Sequence, residues 1–171
     1  MLHSPIITTN LRASSISIDP ATRRNAFFAK TSQFKRFIQL DEGLSDMISG
    51  IGIDLVDVSR LKKIIARWDG RFTGRYFSQR EIAYCQKKAI PAIHYAARFA
   101  AKESFLKSLG IGLGMGIELK DIEVMSGSHG KPELILHEEA GRLLLERGIR
   151  KVHLSLTHTS ESAVAVVVLE I

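Results

Sequence analysis

The sequence has little of the residue types whose abundance would identify a specialised class of protein. Of its 171 residues, one is cysteine, Cys85, and 4 are proline. A single cysteine excludes an internal disulfide, and free thiols are typical of reducing compartments, so we expect an intracellular protein. The longest apolar stretch, residues 163–169, is far shorter than the roughly 20 residues that cross a bilayer, so we expect no segment to span a membrane.

The residues that are abundant match an ordinary globular domain. Hydrophobic residues make up 45% and charged residues 25% of the chain, close to the globular average. Lys and Arg number 24 against 18 Asp and Glu, which gives a net charge of +6. This excess attracts polyanions such as nucleic acid, anionic lipid, a phosphorylated cofactor or an acidic protein, and charge alone does not choose among them.

The chain changes character near residue 47. Residues 1–46 show no sustained period of 3.6 or 2 and hold six basic and four acidic residues. We interpret them as an N-terminal extension that the domain of residues 47–171 does not need, which places the protein in the cytoplasm. The alternative is an organelle-targeting segment, because Arg12, Arg23 and Arg24 occur there among Ser residues and few acids.

The patterns after residue 47 predict an α+β fold, with an antiparallel sheet packed against a long helix and several shorter helices. Apolar spacing and end signals predict the strands and helices. One such signal is the pair Ser78 and Glu81, whose spacing predicts a capping box at the start of a helix. The predicted strands are 51–56, 117–124, 134–136, 152–156 and 163–169. The predicted helices are 58–68, 78–88, 91–109 and 138–147.

Two acidic residues stand out as candidates for chemistry. Asp54 lies inside an otherwise apolar strand, so its carboxylate needs a cation, a metal or several donors; a salt bridge is the simpler interpretation. Glu103 lies on the long helix with Arg98, Lys102 and Lys107 nearby. That pattern is typical of a solvated helix face with an ion pair, yet one acid beside three cations also suits a magnesium-bridged diphosphate.

Other common site patterns are absent from the sequence. One cysteine and no paired-histidine spacing argue against zinc. The glycines 112, 114 and 116 follow a helix, whereas a dinucleotide fingerprint follows a strand. No Ser, His and Asp order supports a hydrolase triad. The polar segment 154–160, which contains His158, could bind an anion or simply bond its own backbone.

Five motifs in order nevertheless resemble one family, the holo-[acyl-carrier-protein] synthases, which are short 4′-phosphopantetheinyl transferases. Each motif is weak alone, and the ordered set is specific. The motifs are 51–61 (IGIDLVDVSRL), 77–81 (FSQRE), 98–110 (RFAAKESFLKSLG), 130–132 (GKP) and 154–159 (LSLTHT). His129 departs from the resemblance, because an asparagine or a similar residue is common before this GKP motif.

The resemblance implies an activity and a set of partners. The reaction would transfer the 4′-phosphopantetheine arm of coenzyme A to a serine of acyl carrier protein, releasing adenosine 3′,5′-bisphosphate, in support of fatty acid biosynthesis. Mg²⁺ would be the metal cofactor, and the protein would be a homotrimer with active sites shared across subunit interfaces. Neither nucleic acid nor a membrane would be a partner.

The resemblance also implies roles for individual residues. Asp54 and Glu103 would hold Mg²⁺, and Glu103 and Lys107 would act in catalysis. The residues assigned to coenzyme A are Arg98, Lys107, Gly130, Lys131 and His158, with Lys102 left unassigned. Arg60 matches a family position that meets the carrier protein, and the basic residues that follow extend this surface. They are Arg67, Arg71 and Arg75. Glu103, a metal-bound water and a lysine all stay open as the base that accepts the serine proton.

Three competing interpretations stay open. A basic nucleic-acid-binding module would show aromatic residues placed for stacking or a helix-turn-helix pattern, and neither is evident. A transferase dedicated to the carrier of a polyketide or peptide synthetase would share the same motifs. An assembly protein with a decayed site is disfavoured by the intact Asp54, Glu103 and Lys107.

Overall fold

A three-stranded antiparallel sheet forms the centre of the computed structural model, which describes residues 47–68 and 70–171. Strand β1 spans Ile48–Asp57, β4 spans Lys151–His158 and β5 spans Ser162–Glu170. Their order is β1-β5-β4. A tight turn joins β4 to β5, in which the Thr159 hydroxyl accepts hydrogen bonds from the backbone N–H groups of Glu161 and Ser162, each at 3.1 Å. The predicted antiparallel sheet is confirmed.

The long helix α4, Pro91–Ser108, packs across one face of this sheet. Proline is at its first turn, and Gly110 follows its end with φ +68°, a conformation that favours glycine. A Cβ on Gly52 of β1 would collide with the Ser104 carbonyl oxygen, and one on Gly50 with that of Ser108. Strand and helix therefore approach closely because these two positions carry no side chain.

Three short helices follow β1, and their apolar side chains pack against the N-terminal half of α4. Helix α1 spans Val58–Trp68, as predicted, and α2 spans Gly70–Tyr76. Helix α3 spans Gln79–Gln86 and begins with the predicted capping box of Ser78 and Glu81; it ends two residues earlier than expected. Helix α2 is missing from the sequence predictions, because its sequence GRFTGRY offers neither a cap nor a clear apolar period.

A separate two-stranded hairpin lies between α4 and the last helix. Strand β2, Ile122–Ser126, pairs with β3, Pro132–Leu136, and helix α5, Glu138–Glu146, follows. The sequence predicted a strand from residue 117, but 119–121 form a 3₁₀ turn and β2 begins at Ile122. One reason is visible in the contacts: the Leu119 carbonyl accepts a hydrogen bond from the buried Lys102 ammonium at 2.8 Å.

The core lies between α4 and the sheet, with a second apolar cluster beneath α1 and α3. Phe105 and Leu106 of α4 are buried against Val167 and Leu169 of β5. Among the described residues, no helix combines the length and apolar character that a membrane crossing requires. Residues 1–46, including Arg12, Arg23 and Arg24, lie outside the described residues, so the predicted extension stays a prediction.

Candidate active site

Asp54 and Glu103, the carboxylate pair, face each other across the contact between β1 and α4. Asp54 is on the side of β1 that faces the helix, and its side chain is 15% exposed. The Lys107 ammonium donates a hydrogen bond to Asp54 Oδ1 at 2.8 Å. Glu103 and Lys107 lie one turn apart on α4 and therefore share a face, as their spacing predicted.

One carboxylate oxygen of Glu103, Oε1, is buried without a hydrogen-bond donor beside it among the described residues. Burial raises the pKa of Glu103, and the negative charge of Asp54 raises it further, while Lys107 acts in the opposite direction. A cation placed between the two carboxylates would satisfy the orphaned oxygen and offset the repulsion.

The carboxylate pair opens into a cleft of about 370 Å³. Arg60 of α1 lines the same cleft, and so do Phe72, Phe99 and Leu113. Within the described ranges, no three His, Cys, Asp or Glu side chains converge as a closed metal site would require. Two carboxylates beside open space instead suit Mg²⁺, which usually takes one or two protein carboxylates and completes its shell with water and substrate phosphates.

A second group, the basic cluster, gathers around the ring of Tyr84 on α3. The Arg98 guanidinium carbon lies 3.9 Å from the centre of that ring, and the Lys88 ammonium lies 4.3 Å from it. His94 of α4 meets the Tyr84 ring edge-on at 5.9 Å between centroids, and His158 of β4 meets His94 at 5.5 Å. The basic cluster is thus Tyr84, Lys88, His94, Arg98 and His158.

Arg98 is the deepest member of the basic cluster, only 6% exposed. Its Nη1 donates a 3.5 Å hydrogen bond to the His94 carbonyl, whereas its Nε is buried without a partner among the described residues. Burial works against ionisation of Tyr84, but Lys88 and Arg98 overcome it and lower its pKa. This arrangement of cations suits an anion with several acceptor oxygens.

The turn that carries Gly130 and Lys131 connects β2 to β3. Gly130 has φ +78°, and the preceding His129 has φ +59°, a left-handed conformation in which Asn and His are more frequent than most residues. Ser126, at the base of this turn, interacts with Tyr84. The turn between β2 and β3 therefore starts beside Tyr84 of the basic cluster.

Lys102 does not belong with the other cations of α4. It is completely buried, and its ammonium donates to Glu81 Oε2 at 2.7 Å and to the Leu119 carbonyl at 2.8 Å. Burial lowers its pKa, and Glu81 counteracts this. The hypothesis of three cations beside Glu103 is therefore wrong for Lys102, which ties α3 and the 3₁₀ turn to α4.

The basic residues expected to meet a carrier protein lie on α1 and α2. Arg71 and Arg75 line a cleft of about 460 Å³ together with Ile64, Trp68 and Phe72. Trp68 is 52% exposed. Arg67 lies over the Trp68 ring and Arg75 over the Tyr76 ring, at 5.8 and 5.6 Å from the centroids. Cationic and apolar surface therefore alternate along this face.

The sequence analysis assigned no role to three residues of the basic cluster. Tyr84 and Lys88 were not assigned, because their contact with α4 is formed only by folding. His94 had a usable signal: it precedes Arg98 by four residues on a predicted helix, which places both side chains on one face.

Comparison with known proteins decides the family. The profile of the 4′-phosphopantetheinyl transferase superfamily matches residues 50–167. The chain belongs to this superfamily. A holo-[acyl-carrier-protein] synthase of Syntrophus aciditrophicus is 60% identical over 124 residues, which are 72% of this chain and 97% of the relative. A synthase of the same name from Geobacter sp. strain M21 is 48% identical over 124 residues, 72% of this chain and 99% of the relative.

Solved structures extend the comparison to the transferase fold. The holo-[acyl-carrier-protein] synthase of Neisseria meningitidis aligns with a TM-score of 0.69 at 32% identity, covering 73% of this chain and all of that one. The Bacillus anthracis synthase, described as a complex with CoA (3′,5′-ADP), aligns with a TM-score of 0.60 at 37% identity, covering 72% of this chain and 97% of that one. The predicted α+β phosphopantetheinyl transferase fold and the transferase activity are confirmed.

Proposed function

We propose that this chain transfers the 4′-phosphopantetheine arm of coenzyme A to a serine hydroxyl of apo acyl carrier protein, releasing adenosine 3′,5′-bisphosphate, in support of fatty acid biosynthesis. The observation that carries the proposal is the presence of two distinct groups that each include residues of helix α4. The carboxylate pair with Lys107 suits a metal-bridged diphosphate. The basic cluster suits the phosphate of a nucleotide.

The carboxylate pair, Asp54 and Glu103, is the proposed Mg²⁺ site. The orphaned Oε1 of Glu103 and the open cleft in front of both carboxylates fit a hard cation. When bound, Mg²⁺ neutralises the diphosphate of coenzyme A and the charge that develops on the leaving group. Lys107, with its side chain 51% exposed, can turn from Asp54 to donate to a phosphate oxygen.

The bond changes define what the cleft must provide. The serine oxygen bonds to the phosphorus that bears the pantetheine arm, the bond from this phosphorus to the departing nucleotide oxygen breaks, and the hydroxyl proton passes to a base. Glu103 and Lys107 are the proposed catalytic residues, because Glu103 lines the cleft and Lys107, one turn further along α4, bonds to Asp54 of the same cleft. Arg98, His158, Gly130 and Lys131 are the proposed nucleotide-binding residues.

Arg60, Arg67, Arg71 and Arg75 form the proposed docking surface for the carrier protein. Carrier proteins of this class are acidic, so the positive face of α1 and α2 complements them and speeds encounter. Arg60 also lines the cleft that contains the carboxylate pair. A carrier docked there would present its serine close to the diphosphate.

The assembly we propose is a homotrimer that shares each active site between two subunits. Ile51, Ile53 and Leu55, on the side of β1 away from α4, are 60 to 64% exposed and form an apolar strip on the sheet. Such a strip on a folded domain marks an interface. In addition, the cleft around the carboxylate pair is not lined by Arg98 or His158. Contact between subunits would bring the two groups together.

The decisive experiment is intact-mass spectrometry of apo acyl carrier protein incubated with this protein, coenzyme A and Mg²⁺. We expect a mass gain of one phosphopantetheine arm that disappears with a chelator. Omitting coenzyme A is the matched control. An unchanged mass across a panel of carrier proteins, with a well-folded protein, would contradict the proposal and favour a non-enzymatic binding module.

Two further measurements test the assembly and the boundary. Light scattering on the eluting protein should give three times the chain mass of 19.0 kDa, and a monomer that is fully active would contradict site sharing. We also assign the activity to residues 47–171, within the cytoplasm or within an organelle if residues 1–46 direct it there. Deletion of residues 1–46 should leave the rate in vitro unchanged, and loss of folding would contradict this boundary.

A further inference from the structure

The basic cluster is an unusual accumulation of positive charge. It draws on four parts of the fold: Tyr84 from α3, Lys88 from the loop after α3, His94 and Arg98 from α4, and His158 from β4. In the described part of the chain, no carboxylate forms an ion pair with any of its four basic side chains. Lys88 and Arg98 both lie over the ring of Tyr84, His94 contacts His158, and Arg98 also donates to the His94 carbonyl.

An arrangement of this kind is incomplete without an anion. Like charges within a few ångströms of each other repel, and the buried Arg98 Nε lacks an acceptor. The aromatic faces offset only a part of this cost. A phosphate monoester supplies two negative charges and three acceptor oxygens, which would satisfy several of these donors at once.

His94, which lies against His158, makes anion binding by the cluster depend on pH. The two histidine rings lie 5.5 Å apart and edge to face. The titratable and charged groups that face His94 are Tyr84 on α3, Lys88 after α3, Arg98 on its own helix and His158 on β4. Burial lowers the pKa of His94, and the charges of the last three groups lower it further. The lowered pKa favours the neutral form of His94 in the absence of a ligand, and an arriving dianion opposes this effect by attracting positive charge.

We propose that Tyr84, Lys88 and His94 complete the nucleotide phosphate site begun by Arg98 and His158, and that His94, which lies against His158, takes up a proton when the phosphate monoester enters. This inference rests on the proposed use of coenzyme A. Binding that takes up a proton strengthens as the pH falls, by linkage. The same charge also makes the site favour coenzyme A over a form without the 3′-phosphate.

The test is calorimetric titration of the full-length protein with adenosine 3′,5′-bisphosphate at about pH 7.5, where an ordinary histidine is mostly neutral. Repeating the titration in buffers of different ionisation enthalpy gives the number of protons taken up. The test variant is His94→Phe, which keeps an aromatic ring between Tyr84 and His158. The control is His137→Gln, because His137 bonds to Glu123 away from the cluster.

We expect proton uptake by the natural protein and by His137→Gln, and loss of more than half of it in His94→Phe. Affinity should fall several-fold in His94→Phe at pH 7 and less at pH 8, where the histidine contributes less. Adenosine 5′-monophosphate should bind without comparable uptake if the 3′-phosphate occupies this site. If His94→Phe fails to fold, His94→Gln, which removes the ionisable ring at the same position, serves as the test variant.

The outcomes separate the inference from the function on which it depends. Binding of the bisphosphate with no proton uptake, or with the same uptake in His94→Phe, would overturn the inference and leave the proposed function standing. Failure of the natural protein to bind the bisphosphate at all would contradict the proposed function itself.

Discussion

The carboxylate pair and the basic cluster both depend on helix α4, yet they are built in opposite ways. The carboxylate pair combines like negative charges, with one cation, Lys107, at 2.8 Å from Asp54. The basic cluster combines like positive charges, with no carboxylate in an ion pair with it among the described residues. Each group lacks the charge that a different part of one substrate would bring: a metal-bound diphosphate for the first and a phosphate monoester for the second.

Their positions on α4 explain how one helix keeps them apart. Glu103 follows Arg98 by five residues, which turns its side chain by about 140° at 100° per residue. Close packing at Gly52 sets the distance from β1 to α4 and so fixes Asp54 against Glu103. The basic cluster instead depends on side chains from three elements that meet on the other side of the helix. The two groups should therefore respond independently to mutation.

The largest effect is expected from removing one member of the carboxylate pair. Asp54→Asn or Glu103→Gln keeps the shape but removes a charge that would hold Mg²⁺. Metal stabilisation of this kind is worth several kcal/mol, so kcat should fall by roughly 10²- to 10⁴-fold. Mass-spectrometric rates of carrier modification give kcat, and calorimetry gives the affinity for adenosine 3′,5′-bisphosphate, which should change little.

Glu139→Gln is the matched control for this experiment. Glu139 is a glutamate of α5 that pairs with Arg142 at the surface, so its loss should leave both measurements unchanged. If Glu103→Gln kept the full rate, Glu103 would be removed from the metal site. A loss of nucleotide affinity as large as the loss of rate would contradict the independence of the two groups.

A smaller effect, on nucleotide affinity more than on kcat, is expected from removing the Arg98 guanidinium. Arg98→Gln removes the buried guanidinium of the basic cluster, and charge-assisted hydrogen bonds of this type contribute about 1.5–3 kcal/mol. The affinity for adenosine 3′,5′-bisphosphate should fall about 10- to 100-fold, and the KM for coenzyme A should rise accordingly. The rate at saturating coenzyme A should fall much less than in Glu103→Gln.

Arg98→Lys provides the control for burial and charge. It keeps one positive charge but loses the planar fork, so its affinity should lie between those of the natural protein and Arg98→Gln. Circular dichroism checks that both variants fold. Equal effects of Arg98→Gln on kcat and on nucleotide affinity would show that Arg98 also acts on the reacting diphosphate.

The sequence predicted the carboxylate pair better than the basic cluster for a physical reason. Asp54 interrupts an apolar strand, and Glu103 and Lys107 share a face of one helix, so local periodicity alone makes both visible. Tyr84 and His158 interrupt no local pattern of this kind, and only tertiary packing brings them to Arg98. Local patterns carry no information on such contacts.

Lys102 shows that local patterns can also suggest the wrong surroundings for a residue. Helical spacing placed it near Arg98 and suggested an exposed cation, because lysine is almost never fully buried without a partner. Its partner, Glu81, comes 21 residues earlier and also caps α3. The capping box predicted from Ser78 and Glu81 was confirmed, yet nothing local indicated that the same carboxylate also binds a lysine.

The smallest effect is expected at the docking surface, which belongs neither to the carboxylate pair nor to the basic cluster. Arg60→Glu places a negative charge at the rim of the cleft, where it would repel an acidic carrier protein. Exposed charges of this type act mainly on encounter, so kcat/KM for the carrier should fall about tenfold at low salt and recover in part as salt screens the repulsion. The KM for coenzyme A should stay the same.

Lys62→Glu is the matched control, because it makes the same charge change on α1 at an exposed position that does not line the carboxylate cleft. It lies two residues from Arg60, about 200° around the helix. A salt-dependent loss in Arg60→Glu but not in Lys62→Glu would locate the carrier on the cleft face of α1. Equal losses in both variants would mean that only the total charge of the helix matters, because a specific docking face must distinguish its two sides.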